Sequence, residues 1–182
     1  MELDHVLIAV SDLEAAATEV EGRLGLASVE GGRHQGLGTA NRIVPLGKTY
    51  LELVAVVDEA EAAQGGFGSW MADGDLPRLL GWCMRTDDLD AVADRLDLTI
   101  ADGARARPDG TVLRWRMAGL ERSADEPLLP FFIEWGEGTP YPGETLGQSA
   151  TIRELRLSVG EGSPELQSVL VDETVLDPTL WA

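Results

Sequence analysis

The chain has 182 residues, of which 44% are hydrophobic and 25% are charged, a composition typical of a soluble globular protein. Its formal net charge of −18 disfavours binding to nucleic acids and to anionic membranes, because both are negatively charged. The single cysteine, Cys83, excludes an intrachain disulfide, no apolar run reaches the length of a membrane helix, and the N-terminus does not resemble a signal peptide. We therefore expect a cytoplasmic protein.

The first third of the chain predicts a strand, a helix and three further strands. Residues 3–10 form an apolar strand-like run, and Ser11 with Glu14 has the spacing of a capping box at the start of a helix. Apolar residues recur at helical spacing from Leu13 to Leu24, before Gly25, a residue type that favours the end of a helix. Three strand-like runs, separated by glycines, follow at 27–34, 41–46 and 49–57.

The same order of elements returns later in the chain. A strand is predicted at 79–85, a helix at 88–96, and strands near 101–107, 111–117 and 128–135. The segments VSDLEAA (10–16) and TDDLDAV (86–92) are similar at an offset of 76 residues (86 − 10), which supports an internal repeat.

The remaining segments connect and extend the two repeats. A short helix is expected at 67–71, and the C-terminal part predicts a strand at 151–159 and a short helix at 164–171. We interpret this tail as an incomplete third module that pairs with an exposed sheet edge. The predicted organisation is thus an α+β protein with βαβββ modules at 1–57 and 79–136, a linker at 58–78 and an extension at 137–182.

Three polar residues occur inside apolar strands: His5, Glu52 and Glu134. A buried carboxylate is costly unless it is protonated, hydrogen-bonded or bound to a cation. A histidine with two carboxylates suits a divalent metal ion with open coordination positions, provided that the three side chains converge. The alternative is structural: a hydrogen-bonded core histidine and carboxylates that pair with arginines.

The segment GGRHQGLGTAN (31–41) is rich in glycine and polar residues. His34, Thr39 and Asn41 could donate or accept hydrogen bonds with a small polar substrate, and His34 could act as a general base. The alternative is a tight loop whose side chains satisfy its own backbone.

A basic cluster and several aromatic residues fall on the second module. Arg105, Arg107, Arg114 and Arg116 lie on one predicted hairpin, where they could hold a substrate carboxylate or phosphate, or pair with surface acids. The aromatic residues could line an apolar pocket or form ordinary core; they are Trp82, Trp115, Phe132 and Trp135.

Five segments together resemble the glyoxalase-like branch of the vicinal-oxygen-chelate superfamily: LDHVLIAVSDLEAA, GGRHQGLGTANRIVPLGKTYLELVAV, GWCMRTDDLDAV, RPDGTVLRWR and LPFFIEWGEG. The resemblance covers about residues 2–140 and implies that the paired modules form a half-open barrel. It also implies metal ligands at His5 and Glu52 in the first module and at Glu134 in the second. Gly81, which corresponds to His5 at the offset of 76, departs from the ligand pattern.

The resemblance favours a metal-dependent enzyme of the lyase, isomerase or dioxygenase type that acts on a small oxygenated metabolite. In this hypothesis His34 and Glu134 are catalytic, and the ion is zinc, manganese, iron, nickel or cobalt. The alternative is a non-catalytic protein that sequesters a small molecule, as bleomycin-resistance proteins of this superfamily do. A homodimer is expected in either case. The residues expected to bind the substrate are His34, Thr39, Asn41, Arg114 and Trp115.

Overall fold

The computed structural model describes residues 1–34, 36–64, 66–72, 74–126, 128–158 and 165–177. The first half contains, in order, β1 (Glu2–Ala9), α1 (Leu13–Leu24), β2 (Val29–His34), β3 (Thr39–Pro45) and β4 (Tyr50–Val56). The connecting segment contains α2 (Glu59–Ala62) and α3 (Phe67–Ala72). The second half contains β5 (Arg78–Arg85), α4 (Leu89–Leu96), β6 (Ile100–Ala106), β7 (Val112–Ala118), α5 (Leu120–Asp125) and β8 (Phe131–Trp135). None of the helices within these ranges is long and apolar enough to cross a membrane.

Local sequence signals explain where α1 begins and ends. The helix is capped by Asp12, whose carboxylate accepts hydrogen bonds from the N–H groups of Glu14 and Ala15 at 2.9 and 3.0 Å. The N-cap is therefore Asp12, one residue after the Ser11 that the capping-box spacing predicted. Gly25 ends the helix in the left-handed conformation, with φ of 67°, as predicted.

Eight strands form one curved sheet with the order β2-β3-β4-β1-β5-β8-β7-β6. β1 pairs with β4 in parallel and with β5 in antiparallel, and β5 pairs with β8 in parallel. The sheet nearly closes, because the edge strands β2 and β6 approach each other. Gly32 on β2 makes this approach possible, since a Cβ there would lie 2.6 Å from the carbonyl oxygen of Ala106 on β6. The α+β class and the paired modules are thus confirmed.

The pairing of β1 with β5 shows the symmetry of the two halves. Val6 lies opposite Trp82, so a two-fold axis at this pair relates each residue to the one 76 positions later (82 − 6). Both strands contain one extra, bulged residue at equivalent places, Asp4 on β1 and Leu80 on β5. The offset predicted from sequence therefore holds for the two central strands.

The outer face of the sheet is covered on both halves. One apolar cluster joins α1 to β1 and β4 through buried residues such as Val20, Val6 and Leu51. Another joins α4 to the second half through Leu89, Val92 and Phe132. The inner face is left to enclose a cavity, which α3 covers through Phe67 and Met71.

The C-terminal part differs from its prediction in two respects. Residues 165–171, predicted as helix, form strand β10 (Glu165–Val171), which pairs with β9 (Ile152–Ser158) and β11 (Thr174–Leu176); Pro164, where the predicted helix begins, lies outside the described residues. These strands form a separate three-stranded sheet rather than extending an edge of the large one. Its apolar face joins the core of the first half through Leu166, Val169 and Leu176, so this extension contributes packing rather than edge protection.

Candidate active site

The inner face of the sheet lines a cavity with about 580 Å³ of empty space, including the part that is open to solvent. Its walls are mainly apolar and aromatic, whereas its charged or titratable polar groups come mostly from the first module. The lining residues are His5, Leu7, His34, Leu37, Tyr50, Glu52, Phe67, Arg105, Trp115, Met117, Leu120, Phe131, Ile133 and Trp135. Such a combination of apolar walls with few polar groups is typical of sites for small molecules.

The bulge in β1 places Asp4 beside His5. Asp4 is fully buried, and one of its oxygens lies 2.6 Å from Nδ1 of His5. The other oxygen accepts a hydrogen bond from the indole N–H of Trp135 at 3.0 Å. The His5 ring also stacks on Tyr50, with ring centroids 4.6 Å apart. His5 is therefore held in one orientation, with its Nε2 3.4 Å from Oε2 of Glu52.

The β2–β3 hairpin brings the predicted residues His34, Thr39 and Asn41 to the same carboxylate. His34 and Thr39 are opposite each other in the register, and Nδ1 of His34 lies 2.9 Å from the Thr39 hydroxyl. Nε2 of His34 lies 3.7 Å from Oε1 of Glu52, and the Asn41 side chain donates a hydrogen bond to that same oxygen. The expected polar cluster at this hairpin is therefore present, although its place in substrate binding stays a prediction.

The cavity environment affects the carboxylate of Glu52 and the imidazole of His34 in different ways. Burial acts to raise the pKa of Glu52, but His5, His34, Arg105 and the hydrogen bond from Asn41 outweigh it, so the pKa lies below its usual value. Burial lowers the pKa of His34 to about 4, against the opposing effect of Glu52. At neutral pH the site therefore contains a charged Glu52 and an uncharged His34.

Among the four clustered arginines, Arg105 lines the cavity, and it is 5% exposed. Arg114 and Arg116 project from the opposite face of β7: Arg114 is exposed, and Arg116 pairs with Asp90. Arg107, beyond the end of β6, donates a hydrogen bond to Thr145. Arg114, which was predicted to contact the substrate, therefore lies outside the cavity lining, because alternate residues of a strand face opposite sides.

Glu134 does not join His5 and Glu52, so the predicted convergence of the three residues is wrong. On β8, Phe131, Ile133 and Trp135 face the cavity, whereas Glu134 faces outward and accepts a hydrogen bond from Nε of Arg116 at 2.8 Å. Glu134, which was predicted to be catalytic, is therefore placed outside this cavity.

The strand register explains this error. Leu7 pairs with Glu52, and its symmetry-related residue Cys83 pairs with Phe131. The counterpart of Glu52 is therefore Phe131, at an offset of 79 (131 − 52) instead of 76. The segment between β7 and β8, which contains α5, accommodates the three additional residues.

The residues present do not fit a metal ion with ligands from both modules. The first module offers His5 and Glu52, but the equivalent positions are Gly81 and Phe131, which have no ligand atoms. A Cβ at Gly81 would lie 3.1 Å from the Trp70 ring, so that space is already filled. Within the described ranges, ligand atoms of Asp4, His5 and Cys83 also lie within 4.8 Å of one another, but both Asp4 oxygens are already engaged, one by His5 and the other by Trp135.

The aromatic residues divide between the two faces of the sheet. Trp115 and Trp135 line the cavity, as the pocket hypothesis expects. Trp82 packs against the outer core of the first half, and Phe132 packs in the outer cluster with α4. The sequence reasoning missed Asp4, although an aspartate beside a histidine within an apolar run was a visible signal.

A curved sheet built from two βαβββ halves around one cavity defines the vicinal-oxygen-chelate fold. Residues 3–170 match the family described as the glyoxalase-like domain, and the chain belongs to this family. No curated protein matches the sequence.

Solved structures of other proteins share this fold. A hypothetical protein from Staphylococcus aureus has 15% identity and a TM-score of 0.68, and the match covers 93% of this chain and 81% of that chain. Methylmalonyl-CoA epimerase from Mycobacterium tuberculosis has 23% identity and a TM-score of 0.51, with coverage of 74% and 86%. The same enzyme from Streptomyces coelicolor, in a Q60A variant complexed with 2-nitronate-propionyl-CoA, has 18% identity and a TM-score of 0.55, with coverage of 74% and 96%. At these identities the likeness supports the fold alone.

Proposed function

We propose that the protein is an enzyme that transfers a proton next to the carbonyl group of a small, largely apolar metabolite, with Glu52 as the base. The observation that supports this most strongly is an ionised carboxylate, 8% exposed, that lines an apolar cavity. The neighbours of Glu52 stabilise its charged form against the effect of burial, and a carboxylate whose pKa is perturbed in a cleft is a candidate catalytic base.

The residues around Glu52 fix its position for this step. Asn41 holds one oxygen by a hydrogen bond, and His5, itself held by Asp4, faces the other. The substrate C–H proton moves to a Glu52 oxygen, and the C–H electron pair forms the carbon–carbon double bond of an enolate. Return of the proton to the same carbon produces exchange or epimerisation, and return to another atom produces isomerisation. The apolar walls exclude water and thereby strengthen the local electrostatic interactions.

The fold is compatible with an isomerase, since methylmalonyl-CoA epimerase, an epimerase by name, has it as well. The proposed reaction retains the proton transfer that was expected from the sequence. It includes no step at a metal ion, because Gly81 and Phe131 provide no ligand atoms. A small-molecule ligand remains the proposed partner, and cytoplasm the proposed compartment.

The proposal is tested by proton exchange in deuterium oxide. Small ketones, aldehydes and thioesters with apolar substituents are incubated with the protein, and loss of the proton signal at the adjacent carbon is followed by NMR. We expect exchange with at least one compound, reduced about 10²–10⁴-fold by Glu52→Gln. Glu134→Gln is the matched control, because it makes the same chemical change outside the cavity, and it should leave exchange unchanged.

A non-catalytic binding protein is the second candidate, and the loss of ligand atoms at Gly81 and Phe131 favours it. In this case carbonyl compounds would bind to the cavity without any enzyme-dependent exchange. If compounds of the panel bind but none exchanges its proton, the enzyme proposal fails and the protein is a binding protein.

A further inference from the structure

Arg105 places a buried guanidinium in the wall of the cavity. It is 5% exposed, and its Nε has no hydrogen-bond partner among the residues that the structure describes. No ion pair joins it to any carboxylate in the described part of the chain, although Glu52 is close enough to affect its pKa. A buried charge of this kind is strongly destabilising unless something compensates it.

The neighbouring strand is shaped to accommodate this side chain. Arg105 extends from β6 over the β2 glycines Gly31 and Gly32. A Cβ at Gly31 would lie 3.1 Å from Nη1 of Arg105, and a Cβ at Gly32 would lie 3.4 Å from its Cδ. The same Gly31 position would clash with the side chain of Asn41, the residue that holds Glu52. Arg105 and Glu52 therefore flank one region of the cavity without pairing.

We infer that Arg105 binds the negatively charged oxygen that forms on the substrate when Glu52 removes its proton. This inference rests on the proposed function and specifies the substrate class: a carbonyl compound with an apolar or aromatic body, whose oxygen becomes an enolate oxygen. In this step the negative charge leaves Glu52 and appears on the substrate oxygen, while Arg105 keeps its positive charge. A guanidinium is well suited to this task, because it donates charge-assisted hydrogen bonds to an oxyanion.

The experiment uses a stable anion in place of the enolate. Binding of 3-phenylpropanoate and of its uncharged amide, 3-phenylpropanamide, is measured by calorimetry. The Glu52→Gln variant is the main subject, since its neutral side chain imitates the protonated Glu52 of the intermediate. It should bind the acid roughly tenfold or more tightly than the amide, and also more tightly than wild type binds the acid, because Glu52 no longer repels the anion.

Second substitutions in the Glu52→Gln background assign this preference. Arg105→Met should remove the preference for the acid, and Arg105→Lys, which retains the charge, should keep part of it. Arg114→Gln is the matched control, because Arg114 is exposed on the adjacent strand, and the preference should persist. Circular dichroism and thermal melts confirm that each variant is folded.

Three results would overturn the inference: no preference for the acid in Glu52→Gln, no detectable binding of either probe, or an acid preference that survives Arg105→Met. These results are separable from failure of the proposed function, because the binding measurement uses a variant that lacks the proposed base and does not depend on turnover. If no carbonyl compound exchanges its proton, the enzyme proposal fails, whereas an Arg105-dependent preference for the acid would still establish an anion-binding site at Arg105.

Discussion

Lowering the pH from 7.5 to 5 should reduce the free energy of unfolding through His34. Burial in the cavity holds the pKa of this imidazole at about 4, compared with 6.5 for an exposed histidine. Between these values the unfolded chain binds a proton at His34 and the native protein does not. The stability contributed by neutral His34 is therefore complete above pH 6.5 and is lost as the pH falls towards 4. The shift corresponds to about 3 kcal/mol in full, of which about 2 kcal/mol should be lost at pH 5.

The assay is urea unfolding of the wild type and of His34→Gln at both pH values. Glutamine keeps a hydrogen-bonding group near Thr39 but does not titrate, so the variant isolates the contribution of His34 from those of all other groups. We expect the wild type to lose about 2 kcal/mol more than the variant between pH 7.5 and pH 5. An equal loss of unfolding free energy in both proteins would show that His34 is accessible to protons in the native state. The conclusion that His34 is neutral would then have to be abandoned.

Three further predictions concern metal ions, the outer face and assembly. Added divalent ions should shift the melting temperature of the wild type no more than that of Glu52→Gln, because Gly81 and Phe131 provide no ligand atoms; a larger shift in the wild type would restore the metal site. Glu134→Gln should cost about 1 kcal/mol or less, because the pair with Arg116 is partly exposed, and should leave 3-phenylpropanoate binding unchanged; altered binding would contradict its placement outside the cavity. Light scattering should give twice the chain mass of 19.5 kDa if the expected homodimer forms, and a monomer at all concentrations would refute the dimer.

The fold could be predicted from the sequence because its signals are local and repeated. Apolar alternation, helix caps and the offset of 76 residues all lie in the sequence, and the pairing of Val6 with Trp82 reproduces that offset. The tail was predicted as a short helix at 164–171, but residues 165–171 form a strand whose apolar side chains pack against the first module, and this packing cannot be read from the local sequence.

The site was only partly predictable, because the face of a strand depends on its register. At the offset of 76 the counterpart of Glu52 would be position 128 (52 + 76), but three additional residues before β8 make it Phe131 (52 + 79). Glu134 lies three residues beyond Phe131 and therefore on the opposite face of β8, since alternate residues of a strand face opposite sides. Arg105 lines the cavity and Arg114 does not, because the position of each residue along its strand determines the face of the sheet from which its side chain projects. The aspartate beside His5 is visible in the sequence, but the bulge that brings Asp4 into contact with His5 has no clear sequence signal.

The most direct test of the account is a crystal structure of the Glu52→Gln variant with 3-phenylpropanoate. We predict that the phenyl ring lies among the apolar walls near Trp115 and Ile133 and that the carboxylate accepts hydrogen bonds from Arg105. The carbon next to the carboxylate should face residue 52. A probe bound outside this cavity, or one whose carboxylate points away from Arg105, would contradict the assignment of Glu52 and Arg105 to a single active site.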